Sequence, residues 1–209
     1  MNIKFAPLIV LAASMLAVTQ VQAESLVDGD ADAGKNKALT CTACHGAAGN
    51  SANPMWPTIA GQHAKYTASQ LHGFKDGGRA DPLMTSQAML LSETDIADLA
   101  AYFEGLAGAA QPVADPKLLA RGEALYRGGN AEEGIPACTG CHGPTGRGNA
   151  AAVYPSLQGQ HATYTSKQLQ DYASGARKTG GKTQIMQAIS ARLSSEDIEA
   201  LASYVQGLR

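Results

Sequence analysis

Beyond its first 23 residues the chain has no apolar run long enough to cross a bilayer, which takes about 20 residues. Nor does it have a surplus of positive charge, with 16 Lys and Arg against 18 Asp and Glu. Duplex nucleic acid is held by neutralising phosphates, so that class of partner is disfavoured. No stretch alternates apolar and polar residues as a half-buried strand would. There is no GxxxxGK[ST] phosphate loop and no Ser/His/Asp grouping, which leaves little for phosphoryl or acyl transfer. Cysteine is scarce too. The four thiols fall in two hexapeptides, "CTACHG" at Cys41–Gly46 and "CTGCHG" at Cys138–Gly143.

The apolar run that does exist lies at the start. Lys4, the stretch from Phe5 to Val18 and "TQVQA" ending at Ala23 have the basic, apolar and small-residue order of a secretory signal peptide. Pro7 and the short run weaken the rival reading as a retained membrane helix. Cleavage after Ala23 is therefore expected, giving a soluble protein outside the cytoplasm. Removing Lys4 leaves 15 basic against 18 acidic side chains, a formal balance of −3.

The rest is a tandem repeat. "GQHAKYTASQL" at Gly61–Leu71 returns as "GQHATYTSKQL" at Gly159–Leu169, and "LSETDIADLAAYFEGL" at Leu91–Leu106 returns as "LSSEDIEALASYVQGL" at Leu193–Leu208. The first cysteines lie 97 residues apart, the GQH blocks 98 and the LS blocks 102. Such small steps put insertions between shared elements, one before Met186 and one, "YRGGNAEEGIPA", before the second cysteine pair. "GAAQPVADP" at Gly108–Pro116 has the Gly, Pro and Asp content of a connection. The expected organisation is a signal peptide at 1–23, a first domain at 24–110, a linker at 111–116 and a second domain at 117–209. Cores that small are marginal without help from disulfides, metals or partners.

Each copy reads as all-α. Ser92-x-x-Asp95 and Ser194-x-x-Asp197 resemble capping boxes. Behind them Ile96, Leu99, Ala100 and Phe103, and Ile198, Leu201, Ala202 and Val205, keep helical spacing. Gly105 and Gly207 mark stops. Middle helices are expected over Tyr66–Phe74 and Tyr164–Tyr172. "DADAGKNKALT" and "DPKLLARGEALY" read as leading helices, the second with Asp115 as cap and Pro116 at the first helical position.

A thioredoxin-like dithiol expects a βαβ context, which is not visible. A structural zinc site expects its cysteine pairs about 15–20 residues apart. Neither explains a histidine directly behind each second thiol. C-x-x-C-H is the signature of covalent haem attachment, in which two thiols add across the porphyrin vinyl groups and the histidine ligates iron from the proximal side. Cys41, Cys44 and His45 are assigned to one haem, and Cys138, Cys141 and His142 to the other.

The sixth iron position separates an electron carrier from an enzyme. Past residue 23 the methionines are Met55, Met84, Met89 and Met186. Met55 aligns with Val153 and Met89 with Ala191. Met84 and Met186 each stand 8 residues before a capping serine. This pair alone recurs in register and is preferred as ligand, in a loop that changes length. His63 and His161 also recur and are the alternative, against a plainer role facing solvent or bonded to backbone. His72 aligns with Gln170 and drops out.

Two CxxCH units, "PTIAGQ" and "PSLQGQ" behind them, a methionine, then "LSxxDI" and a closing helix resemble the cytochrome c4 family of dihaem class I c-type cytochromes. The likeness runs through essentially all of the chain after residue 23. It implies two cytochrome c folds related by pseudo-twofold symmetry, two haem c groups and His/Met ligation through His45 with Met84 and His142 with Met186. It also implies that the Pro57 and Pro155 carbonyls orient the proximal imidazoles. Tyr66, Tyr164, Arg79 and Arg177 are candidates for propionate or inter-domain contacts, and equally for surface or packing roles.

With both irons closed by methionine the expected function is one-electron transfer and not catalysis. The resemblance implies a periplasmic shuttle in the respiratory chain, between a quinol-oxidising complex and a terminal oxidase, with room for peripheral membrane association. The haem subunit of a flavocytochrome c sulfide dehydrogenase is the alternative, and a dihaem peroxidase with one open iron a more distant one.

Overall fold

A computed structural model describes residues 27–178 and 182–209. The signal peptide expected at 1–23 lies outside these residues. Among them there are ten α-helices and no strand, only isolated bridges such as Arg79 with Arg177.

Each half is built from five helices in the same order. In the first half these are α1 (Ala31–Lys37), α2 (Thr42–His45), α3 (Ala64–Lys75), α4 (Pro82–Ala88) and α5 (Glu93–Glu104). In the second they are α6 (Leu119–Gly128), α7 (Thr139–His142), α8 (Ala162–Ala173), α9 (Thr183–Ser190) and α10 (Ser195–Gln206). Both capping boxes form. The Ser92 hydroxyl accepts from Asp95 N–H while the Asp95 carboxylate accepts from Ser92 N–H, and Ser194 and Asp197 do the same. Asp115 caps a short 3₁₀ turn, Pro116–Leu118, before α6 begins.

The leading helix of each half crosses the closing helix, α1 on α5 and α6 on α10. Glycine makes the crossing possible. A Cβ on Gly34 would stand 2.1 Å from the Asp98 carbonyl oxygen, and one on Gly122 would stand 2.3 Å from that of Ala200. Around the first crossing Ala38, Leu99 and Phe103 are buried, with Cys41, Ile59 and Leu91 packed against them. Around the second the buried set is larger: Leu125, Tyr126, Leu201, Tyr204, Val205 and Leu208, with Cys138 and Leu157 beside it.

Met84 and Met186 differ from their expected setting. They sit in short helices, α4 and α9, not in loops. For α4 the cause is local. The Asp81 carboxylate accepts from the backbone N–H groups of Leu83 and Met84, and Pro82 occupies the first helical turn, where its missing N–H costs nothing. The methionine periodicity was too short to reveal a helix of two turns.

Candidate cofactor sites and the joint between the halves

Each CxxCH segment is one turn of helix. In α2 the N–H groups of Cys44 and His45 both donate to the Cys41 carbonyl, and in α7 those of Cys141 and His142 donate to that of Cys138. The turn ends at a glycine with left-handed backbone, Gly46 at φ 82° and Gly143 at φ 76°. A single turn puts two thiols and an imidazole at one place. All four cysteines are free and half-buried. Burial pushes the Cys138 thiol up to about 11 and the Cys41 thiol up as well.

Both histidines are buried, at 7 % and 6 % exposure, and each is held by a carbonyl. His45 Nδ1 lies 2.8 Å from the Pro57 oxygen, and His142 Nδ1 lies 3.0 Å from that of Pro155. A carbonyl can only accept, so Nδ1 carries the proton and Nε2 keeps its lone pair for a metal. Burial lowers the pKa of both rings, against the opposing pull of the proline carbonyls. That favours the neutral imidazole a metal requires.

Among the described residues no three His, Cys, Asp or Glu side chains gather as a metal site. The donor set at each motif is instead one prepared imidazole nitrogen and two thiols, which fits a ligand that brings its own equatorial nitrogens. Met84 and Met186 are both half-buried. Met55 and Met89, which have no counterpart in the repeat, are 56 % and 65 % exposed.

The GQH blocks reach across, each to the backbone of the other half. His63 Nε2 donates to the Arg147 carbonyl at 2.7 Å, and His161 Nε2 donates to that of Ser51 at 2.8 Å. His63 Nδ1 stands 3.9 Å from a Glu104 carboxylate oxygen. His72, on α3, is 3.4 Å from Glu93. Sequence reasoning did not assign Gln62 and Gln160. The signal was there, since both recur in register, but nothing in sequence told that their partners are backbone groups of the opposite half.

At the centre of the joint lie two arginines. Arg79 donates through Nη2 to Tyr164 Oη at 2.9 Å and to Gln168 Oε1 at 2.8 Å. Arg177 donates through Nη2 to Tyr66 Oη and to Gln70 Oε1, both at 2.7 Å. Each guanidinium also lies over an aromatic ring of its own half, Arg79 over Phe74 and Arg177 over Tyr172. The four residues Tyr66, Tyr164, Arg79 and Arg177 are therefore inter-domain contacts. Arg79 and Arg177 are 9 % and 5 % exposed, yet among the described residues the hydrogen-bond acceptors of their guanidinium groups, Tyr66, Gln70, Tyr164 and Gln168, are all neutral. Burial favours the neutral Tyr164 phenol, but the two guanidinium charges outweigh it and lower its pKa. Arg177 Nε is buried without a hydrogen-bond partner. Buried positive charge of this kind fits the carboxylates of a propionate-bearing porphyrin.

The model of the cytochrome c family matches the chain twice, over residues 31–107 and 119–209. A cytochrome c4 of Pseudomonas aeruginosa is 53 % identical over 180 residues, 86 % of this chain and 89 % of the relative. The crystal structure of reduced recombinant cytochrome c4 from Pseudomonas stutzeri superposes with a TM-score of 0.84 at 47 % identity, covering 87 % of this chain and all of that one. A thiosulfate dehydrogenase electron acceptor of Thiomonas intermedia is 35 % identical, over 81 % of this chain and 78 % of its own.

Proposed function

Since the chain belongs to the cytochrome c4 family and is a dihaem electron-transfer protein with two haem c groups, we propose that it shuttles single electrons in the periplasm. The route proposed is from a quinol-oxidising complex towards a terminal oxidase of the respiratory chain. Cys41 and Cys44, and Cys138 and Cys141, supply the thioether links. His45 with Met84 and His142 with Met186 supply the axial ligands. The two units are taken as residues 24–110 and 117–209, joined by 111–116, with residues 1–23 as the export signal. No described helix is long and apolar enough to cross a membrane.

The observation that carries this reading is the agreement between repeat register and burial at the methionines. Only Met84 and Met186 recur, and of the four in these halves they are the two that are half-buried. His63 and His161, the rival ligands, each spend Nε2 on a carbonyl of the other half. The haem supplies a reversible one-electron couple. The chain holds the imidazoles neutral and oriented, sets the first thiol of each motif, Cys41 and Cys138, against apolar side chains and offers thioether sulfur, which raises the potential relative to harder ligands. With His45 and Met84 holding one iron and His142 and Met186 the other, neither would readily bind a substrate.

The ferric protein is expected to show the weak sulfur-to-iron charge-transfer band at the red edge of the visible spectrum. Met84→Ala and Met186→Ala should each remove about half of it, as equal axial roles require. A band absent from the unaltered protein, or a substitution without effect, would overturn the ligation.

A second reading rests on the 35 % relative named as an electron acceptor of thiosulfate dehydrogenase. On that reading the chain takes electrons from a dehydrogenase of small sulfur compounds, a role akin to the haem subunit of a flavocytochrome c sulfide dehydrogenase. Thiosulfate-dependent reduction in an extract, or a co-purifying flavoprotein, would favour it over the quinol route.

A further inference from the structure

The carboxamides of Gln62 and Gln160 each make a two-point contact with one residue of the opposite half. Gln160 Oε1 accepts from Thr58 N–H at 3.0 Å while its Nε2 donates to the Thr58 carbonyl at 2.8 Å. Gln62 Oε1 accepts from Ser156 N–H and its Nε2 donates to the Ser156 carbonyl, both at 2.9 Å. The orientation of each amide is settled by this pairing, because one arm faces a donor and the other an acceptor. A further N–H, from His63 or His161, donates to the same Oε1 at 3.0 Å and fixes the arm from its own side.

What these contacts touch is significant. The N–H of Thr58 belongs to the same peptide group as the carbonyl of Pro57, which accepts from His45 Nδ1 at 2.8 Å. The N–H of Ser156 belongs to the same peptide group as the carbonyl of Pro155, which accepts from His142 Nδ1 at 3.0 Å. Each chain of bonds thus runs from a glutamine in one half, through one peptide plane, to the proximal histidine in the other. Hydrogen bonds in series polarise one another. An acceptor at the N–H makes the carbonyl of the same peptide more negative, and so a stronger acceptor for the imidazole proton. A stronger bond at Nδ1 makes Nε2 a more basic ligand.

We infer that Gln62 and Gln160 are crossed positioning residues, each setting the orientation and basicity of the proximal histidine in the half to which it does not belong. Joining the halves is therefore part of tuning each haem, since neither half carries its own glutamine contact. The inference rests on the ligand assignment proposed above for His45 and His142. Greater basicity favours ferric iron, so loss of the glutamine contact raises the potential of the opposite haem.

The test is a redox titration of the full holoprotein in which each haem is followed by its own NMR resonances. In Gln160→Met, of similar length with only a weakly accepting sulfur in place of the amide, the ferrous-to-ferric ratio of the Cys41/Cys44 haem at fixed poise should rise several-fold. The Cys138/Cys141 haem should move less. Gln62→Met should give the mirror image. Amide exchange at Thr58 or Ser156 should speed in the matching variant. Equal shifts at both haems, a larger shift in the variant's own half, or no shift would overturn the inference. Should either methionine variant fail to fold, Gln160→Glu keeps the acceptor for Thr58 N–H at the same length. It is expected to preserve that amide's protection and lower the Cys41/Cys44 haem potential, and a larger change at the other haem would again be fatal. The charge-transfer band is recorded first on the unaltered protein. Its absence would sink the methionine assignment alone, whereas a band present with uncrossed shifts would sink the glutamine inference alone.

Discussion

Residues 24–110 carry 5 basic and 10 acidic side chains, whereas residues 117–209 carry 10 basic and 7 acidic. Their surfaces differ in other ways. Leu39, Leu83, Met89 and Leu90 are exposed in the first half, at 65 % or more, while Leu119 and Ile185 in the second stand at 39 % and 43 %. Leu90, just before the LS block, aligns with Arg192, a charged side chain whose Nη1 reaches the Gly134 carbonyl at 3.2 Å. The cores diverge as well. Helix register pairs Ala38 with Tyr126, and the tyrosine is fully buried, with its hydroxyl donating to the Gly143 carbonyl at 2.8 Å. Against this, the CxxCH turn, the proline carbonyl on the imidazole, the glutamine pairing and the arginine contacts are nearly superimposable in kind. The repeat has kept what faces the cofactor and the joint, and changed what faces solvent or fills space behind it.

The largest effects are expected where the halves are alike. Gly34→Val and Gly122→Val both drive a side chain into a carbonyl of the closing helix, and each should cost about 1–3 kcal/mol or more in denaturant unfolding. A tolerated substitution in one half alone would show that its crossing is looser than the distances imply.

A smaller effect separates the halves. Tyr126→Phe removes the shorter of two hydrogen bonds to the Gly143 carbonyl, which keeps the Gly146 N–H at 3.2 Å, and should cost about 1 kcal/mol in the same unfolding measurement. The first half has only Ala38 at the equivalent position, so Ala38→Ser should not reproduce the interaction. Unchanged stability in Tyr126→Phe would show that the larger core does not depend on that bond.

The smallest expected effect concerns acid. Both halves tie the leading helix to a capping-box carboxylate, but by different cations. Lys37 reaches Asp95 at 3.1 Å and Asp98 at 2.7 Å, and Arg121 reaches Asp197 at 2.7 Å. The Ser92 hydroxyl and N–H, and then Lys37, hold the Asp95 carboxyl down to about 2. Lys37, followed by the N–H of Asp30, lowers that of Asp98. An unfolded Asp titrates near about 3.9. These depressed groups therefore stabilise the fold fully above that value, and the contribution drains away as pH falls towards the folded values. Lys37→Met should move the acid transition of the first half to higher pH, followed by circular dichroism. An unmoved transition would assign the acid response to the serine caps alone.

Much of the architecture was legible in the residues. Capping boxes at Ser92 and Ser194 and the spacing of Ile96, Leu99 and Phe103 are local signals, readable because each depends on neighbours within a turn or two. The helices of Met84 and Met186 were missed, since a run of two turns offers too few positions for a period to appear. The repeat identified His63 and His161 as noteworthy and left their role between ligand and backbone contact. Their role as contacts across the joint depended on distances that no local pattern encodes.

By itself, then, the sequence determined the duplication, the helices that carry it, the two haem-binding turns and the candidate methionines, because each is a short-range pattern of side-chain types. Only the tertiary structure decided that Gln62, Gln160, His63 and His161 serve the opposite half. Their partners are the backbone groups of Ser156, Thr58, Arg147 and Ser51. A peptide N–H or carbonyl is the same at nearly every position and leaves no mark in the sequence, so its pairing is decided by where the folded chain brings it.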